Sequence, residues 1–268
     1  MAVVEEQFVI GKRREQYHDL RISVVIPALN EAANLQYVLP CLPSIVSEVI
    51  LVDGDSTDGT ATVAQQLLPS VLIIKQSGKG KGDALNAGFA ACTGDIIVML
   101  DADGSADPGE IPRFIDALLK GHDFAKGSRF IEDGGSHDIT WLRRLGNYGL
   151  SLFVNFLFLA QFSDLCYGYN AFWKHCLDHF HIDCDGFEID TLINLRIHQT
   201  ELKMIEVPSF EYQRIHGESK LHTFRDGWRV LKTILKERLR TSLPLPQSSY
   251  LGTSIAYHEQ SSIRAISK

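Results

Sequence analysis

Residues 96–105 read IIVMLDADGS. An unbroken apolar run, 96–100, leads straight into two carboxylates separated by one residue, Asp101 and Asp103. Such a run, bounded by a turn-forming Asp-Gly, reads as a strand covered on both faces, as in parallel sheets packed between helices. The pattern recurs upstream. ISVVIP (22–27) is followed by Ala-Leu-Asn30-Glu31, VILV (49–52) by DGDSTDG (53–59), and 71–74 forms a third apolar run. Helical patterns over 31–47, 57–68, 83–92 and 108–120 separate or follow these strands. The spacing therefore predicts an α/β fold with a Rossmann-like, mostly parallel sheet flanked by helices. Its ligands should gather at the carboxyl ends of the strands.

Further along, 138–162 and 187–198 read as helices, 166–173 as a strand, and 202–207 and 210–214 as extended segments. A last helix is predicted over 223–239, where Trp228, Leu231, Leu235 and Leu239 recur at helical spacing beside Arg225, Arg229, Lys232 and Lys236. Residues 1–20 form a polar lead-in, 21–240 the folded domain, and 241–268, with Pro244 and Pro246 and no apolar period, a flexible tail.

The chain has 268 residues, 45% hydrophobic and 22% charged, with a net charge of −7. This suits a globular domain with a sizeable core and argues against a generic nucleic-acid binder. The charge is uneven. Residues 53–110 carry nine acids and three lysines, whereas 220–240 carries seven Lys or Arg and two acids. A basic stripe beside an apolar one suits an anionic membrane surface, and equally an ordinary helix packing its apolar side inward. The five cysteines (Cys41, Cys92, Cys166, Cys176, Cys184) are odd in number and form no CxxC pair, as expected of reduced thiols in the cytoplasm. The opening residues have the wrong order of charge for a secretion signal, and the most apolar segment, 149–162, is too short for a membrane span.

The chemistry-bearing residues follow the strand ends. Asp101 and Asp103 can present oxygens to a hard cation such as Mg²⁺ or Mn²⁺, although the same spacing would serve a solvated turn before the helix at Pro108. Asp53 and Asp55 can accept hydrogen bonds from a nucleobase or ribose, or simply organise an Asx turn. The loop GKGKGD (78–83) is cationic and reads as a mobile segment near phosphate, with Asp83 as an alternative N-cap for the next helix. His175, Cys176, His179, His181 and Cys184 crowd together without any standard zinc spacing. The aromatic run Phe153, Phe156, Phe158 and Phe162 suits core packing or lipid contact.

IPALNEAANL, VILVDGDSTDGT, NAGFAACTGDIIVMLDADGSADPGEI and GSRF together resemble the inverting family 2 glycosyltransferases of GT-A fold. GFEID and EVPSFEYQRIHGESK turn the resemblance toward enzymes similar to dolichyl-phosphate mannosyltransferase, which move a sugar from a nucleoside diphosphate to a polyprenyl phosphate. The resemblance runs from about Arg21 to Lys220. It implies that Pro27, Asn30, Glu31 and Asp53 contact the nucleotide, and that Asp101 and Asp103 form the DXD pair, Asp103 foremost as metal ligand. Asp55 and Asp83 join the donor-binding set. Arg129, Arg214 and Lys220 fall at cationic positions around phosphates, and Glu188 and Asp190 where an acidic group meets the acceptor. The sequence departs from the lipid-phosphate pattern at Gly104-Ser105, in GKGKGDALN and in CYGYNAFW.

The implied partners are a GDP- or UDP-sugar, Mg²⁺ or Mn²⁺, and either a polyprenyl phosphate or a soluble hydroxyl acceptor. The implied setting is cytoplasmic, with peripheral membrane contact. A non-catalytic sugar-nucleotide binder is a rival reading. LDADGS also resembles the DxDx[TV] motif of haloacid-dehalogenase-like phosphatases, but three βα units precede it and no later acidic motif of that class follows.

Overall fold

The computed structural model describes residue 17 and residues 19–242. Seven strands form the main sheet: β1 (Ile22–Ala28), β2 (Glu48–Asp53), β3 (Leu72–Lys75), β4 (Ile96–Met99), β5 (Phe124–Ser128), β7 (Asn170–Trp173) and β8 (Met204–Pro208). A short parallel pair, β6 (Gly135–Ser136) and β9 (Phe210–Glu211), lies apart. The helices are α1 (Ala32–Val38), α2 (Thr60–Leu67), α3 (Gly80–Ala91), α4 (Ile111–Leu119), α5 (Trp141–Phe158), α6 (Ile189–His198) and α7 (Thr223–Ser242).

The sheet order is β3-β2-β1-β4-β7-β5-β8. Its pairings are parallel except for β7, which runs antiparallel between β4 and β5. The apolar runs divide by alternation. Ile22, Val24 and Ile26 face one cluster with Phe114 and Ile115 of α4, while Val25, Ile97 and Met99 face another with Leu85 of α3 and Ile193 of α6. A third cluster lies beneath α5 and α7, where Val154, Leu195, Val230 and Ile234 meet.

Several expected boundaries shift. The helix expected over 31–47 ends at Val38 and tightens into a 3-10 turn, Leu39–Cys41, because Pro40 and then Pro43 remove backbone donors. The expected strand 166–173 is ordered as strand only from Asn170, and 210–214 only over Phe210–Glu211. Most of the lead-in and the tail beyond Ser242 lie outside the described residues. Tyr17, at the inner end of the lead-in, is instead buried and hydrogen-bonds Asp116 on α4.

Candidate active site

The polar residues after β1 and β2 first fasten the two loops to each other. Asn30 adopts φ 55°, a left-handed conformation that Asn tolerates. Its N–H donates to Ser56 Oγ at 2.9 Å and its Oδ1 accepts the N–H of Thr57 at 2.8 Å. Asp58 accepts the N–H groups of Ala32 and Thr60, each at 3.0 Å, and so serves the first turns of α1 and α2 together. Pro27 pairs with Val52 beyond the point where β1 leaves β4, so its missing N–H costs the sheet nothing there.

Asp53 closes β2. Its Oδ2 accepts the N–H of Ser56 at 3.3 Å, while its Oδ1 is buried without a partner among the described residues. An unsatisfied buried carboxylate oxygen is costly, and a donor from a bound nucleobase or ribose would satisfy it. Asp55 points elsewhere. It pairs with Lys75 at 3.0 Å on the open surface, where an ion pair contributes little.

The Gly/Lys stretch is ordered. Helix α3 begins at Gly80 with Lys79 as its N-cap, so Asp83 lies in the first turn and accepts the N–H of Gly78 at 2.9 Å. A Cβ at Gly80 or Gly82 would stand 2.0 or 2.1 Å from the carbonyl oxygens of Asp185 and Cys184. Glycine alone lets this turn press against that segment, and Gly82 N–H donates to Asp185 O at 2.9 Å. The anchored turn drives Lys81 inward. Its side chain is 9% exposed and reaches Asp101 at 2.9 Å and Asp190 at 3.1 Å. Gly168 clears the space, since a Cβ there would lie 2.5 Å from Lys81 Nζ. Burial favours the neutral amine, but the two carboxylates outweigh it and hold Lys81 above the ordinary lysine range. For Asp190 the balance runs the other way. Burial and the charge of Asp101 exceed the help from Lys81, so its carboxyl lies above the usual carboxylate range.

Asp103 meets a second cation. Its Oδ1 accepts the N–H of Ser105 at 2.9 Å and its Oδ2 a hydrogen bond from Arg214 at 2.8 Å. Arg214 also donates to Glu31 at 3.0 Å, and Lys220 approaches Glu31 at 3.9 Å and donates to Leu29 O. The segment carrying both cations is held by a residue the sequence reading passed over. Asn34 on α1 is buried, accepts the N–H of His216 at 3.0 Å and donates to the His216 carbonyl at 3.1 Å. It also donates to Glu31 Oε2 at 2.7 Å.

Arg129 is committed within the protein. It forks onto Asp164 through Nε at 2.7 Å and Nη2 at 3.0 Å, and its Nη1 contacts Glu211 at 3.0 Å. It is buried, and Tyr167 stacks 4.7 Å from the guanidinium. The contacts of Asp164, Glu211, Lys81 and Asn34 are tertiary, and their partners lie too far along the chain for spacing to disclose them. Glu188 is also buried. Its Oε1 accepts the N–H of Gly186 at 3.3 Å, and its Oε2 is unpartnered among the described residues, as is Asp190 Oδ1. His175 pairs with Asp123 at 3.1 Å, near a shallow cleft at the opposite, amino ends of the strands.

Asp101 and Asp103 fit a hard divalent cation by their chemistry. Both are oxygen donors at a strand end, and the side chain of Asp101 is 40% exposed. Among the described residues no three His, Cys, Asp or Glu side chains converge, so phosphate oxygens and water would complete the shell, as Mg²⁺ commonly accepts.

The sequence pattern of the Glycosyl transferase family 2 matches residues 23–179, more than half of the chain. The chain belongs to glycosyl transferase family 2. It is 32% identical over 212 residues to a dolichol-phosphate mannosyltransferase of Pyrococcus furiosus, covering 75% of this chain but 59% of that protein. It is 30% identical over 227 residues to glycosyltransferase AglJ of Haloferax volcanii, covering 84% of this chain and 74% of that one. Among solved structures, glucosyl-3-phosphoglycerate synthase from Mycobacterium tuberculosis, in complex with Mn²⁺, uridine diphosphate and glucosyl-3-phosphoglycerate, superposes with a TM-score of 0.68 at 22% identity. That match covers 88% of this chain and 85% of the other. This likeness shows the GT-A fold, as the strand order anticipates.

Proposed function

We propose that this protein is a metal-dependent, inverting glycosyltransferase that moves a sugar from a nucleoside diphosphate donor, UDP- or GDP-linked, to a polyprenyl phosphate. The observation that carries this reading is Lys81, shared between Asp101 at the donor edge and Asp190 near the proposed acceptor side. One buried cation thereby joins the two halves of a transfer site. Asp53 Oδ1 would receive the nucleoside, and Glu31 and Arg214 would frame the diphosphate. Asp101 and Asp103 would hold Mg²⁺ or Mn²⁺, which neutralises negative charge on a leaving diphosphate when bound. The Pyrococcus relative's name supports a lipid-phosphate acceptor. A phosphate acceptor is already anionic at neutral pH and needs no base, so the committed state of Asp190 is no obstacle. Lys220, and Arg129 if the Asp164 fork opens, would supply cations for it.

A second reading rests on Asp190 Oδ1. This buried, unpartnered acceptor with a raised pKa suits a general base for a hydroxyl nucleophile, with Glu188 as the alternate. The scattered thiols, all free, suit the cytoplasm. No helix among the described residues is long and apolar enough to cross a membrane, and we place the protein peripherally at the membrane face.

The test is nucleotide release from a panel of UDP- and GDP-sugars with Mn²⁺ or Mg²⁺, with polyprenyl phosphate and soluble alcohols as competing acceptors. Turnover that requires the lipid phosphate and vanishes in Asp103→Ala is expected. Turnover with hydroxyl acceptors alone selects the second reading, and no donor binding at all refutes both.

A further inference from the structure

Most of the large exposed apolar side chains among the described residues lie on two helices, α5 and α7. On α5, Trp141, Leu145, Tyr148, Leu152 and Phe156 recur at helical spacing, with Trp141 76% and Phe156 79% exposed. On α7, Phe224, Trp228, Leu235 and Leu239 do the same, with Phe224 82% and Trp228 57% exposed. The outward placement is not a packing failure, because each helix has a separate inner face. Asn147, Ser151 and Val154 are the buried side of α5, and Asp226, Val230, Ile234 and Glu237 that of α7. Val154, Val230 and Ile234 meet in one cluster over Leu195 of α6, so both helices turn their apolar stripes away from the same support.

The charges sort in the same way. The acids of α7, Asp226 and Glu237, are buried, and Glu237 pairs with Arg196 at 2.8 Å. Arg225, Arg229, Lys232 and Lys236 lie at the outer side, flanking the apolar stripe, and Lys232 stands 5.7 Å from the Trp228 ring. Helix α5 carries Arg143 and Arg144 and no acid. An outer face of aromatic and leucine side chains bordered by cations, its acids turned inward, is the pattern of helices lying in a bilayer interface.

We infer that α5 and α7 together form a docking surface for an anionic phospholipid leaflet. A second copy of this chain is the poorer occupant, because it would bring one cationic border against another, whereas anionic headgroups complement both. The surface adjoins the transfer site. Arg143 of α5 donates to Leu221 O at 2.9 Å and to Ser219 Oγ at 3.3 Å, bracketing Lys220, which reaches the β1 loop at Leu29. A leaflet seated on these helices would present a lipid acceptor at that border. In this respect the inference deepens the lipid-phosphate reading and rests on it for its purpose.

The test is flotation of the full chain with phosphatidylcholine vesicles, with and without phosphatidylglycerol, at low and high salt. Recovery with the anionic vesicles, reduced by salt, is expected. Lys232→Gln should weaken it about fivefold, the worth of one cation near such a surface. Trp228→Ser with Phe156→Ser should abolish it while leaving thermal unfolding and donor-nucleotide binding unchanged, since both side chains are exposed and away from the donor edge. Equal recovery with neutral and anionic vesicles, or none with either, overturns the inference. So does a dimer in solution that Trp228→Ser disperses. Flotation uses no donor or acceptor, so the two readings fail separately. A protein that floats but glycosylates only soluble alcohols refutes the acceptor, and a lipid-phosphate transferase that never floats refutes the surface.

Discussion

Replacing Lys81 with Met tests how the two acids are held together. The methionine nearly matches the lysine in length and removes the charge that faces Asp101 at 2.9 Å and Asp190 at 3.1 Å. Asp190 is fully enclosed and would lose the cation offsetting its burial, while the partly exposed Asp101 would recover solvation. Breaking a buried pair from one side costs about 3–5 kcal/mol, and the exposure of Asp101 places the expected loss near the lower end, about 3 kcal/mol. That is a large share of the 5–15 kcal/mol typical of a domain, so urea unfolding will register it clearly. Pairing Lys81→Met with Asp190→Asn removes the stranded charge as well as its partner. The double variant should recover about 1–3 kcal/mol relative to the sum of the singles. A single-variant loss under about 0.5 kcal/mol, within the range of ordinary surface substitutions, would refute the claim that Lys81 joins the two sides, as would strict additivity in the cycle.

Three further outcomes follow from the same geometry. Asn34→Ala should cost about 1–2 kcal/mol from two lost bonds to the His216 backbone, and should raise KM for the donor more than it lowers kcat; an unchanged KM would remove Asn34 as the positioner of the Arg214 segment. Gly168→Ala should destabilise the fold by about 1–3 kcal/mol and lower turnover, because its methyl carbon would press within 2.5 Å of Lys81 Nζ; thermal unfolding and nucleotide release read both. For Asp164, burial alone would raise the pKa, but the Arg129 charge and its hydrogen bonds outweigh burial and hold the carboxyl below the usual range. A depressed folded pKa stabilises fully above the unfolded value and is lost as pH falls through the folded one. Urea midpoints should therefore drop steeply below about pH 4 in the parent, and Asp164→Asn, weaker at neutral pH, should show a shallower acid limb.

The parallel half of the sheet was legible because its strands are apolar throughout and each breaks into a polar turn. β7 was harder to place, since its antiparallel direction is set by β4 and β5 on either side and leaves no mark in four residues. The place of Asp53, Asp101 and Asp103 at the carboxyl ends of β2 and β4 was legible from position. Lys81 was not, for GKGKGD has the composition of a mobile loop. The carbonyls of Cys184 and Asp185, a hundred residues away, turn its glycines into a helix start. Arg129 shows the converse. Its motif was recognisable, but the buried fork onto Asp164 and Glu211 that occupies it is a tertiary contact.

The reversed strand β7 has a consequence for how such a chain can diversify. β5 and β7 are antiparallel neighbours, with Lys126 opposite Asn170, so the excursion from Arg129 to Tyr169 departs from and returns to one edge of the sheet. It carries α5 like a cassette held at two adjacent clips. A different cassette could be exchanged between the same clips while the β1–β4 half, with its strand-end acids, remained in register. The exposed apolar stripe of α5 can thus change without disturbing the register of the β1–β4 half.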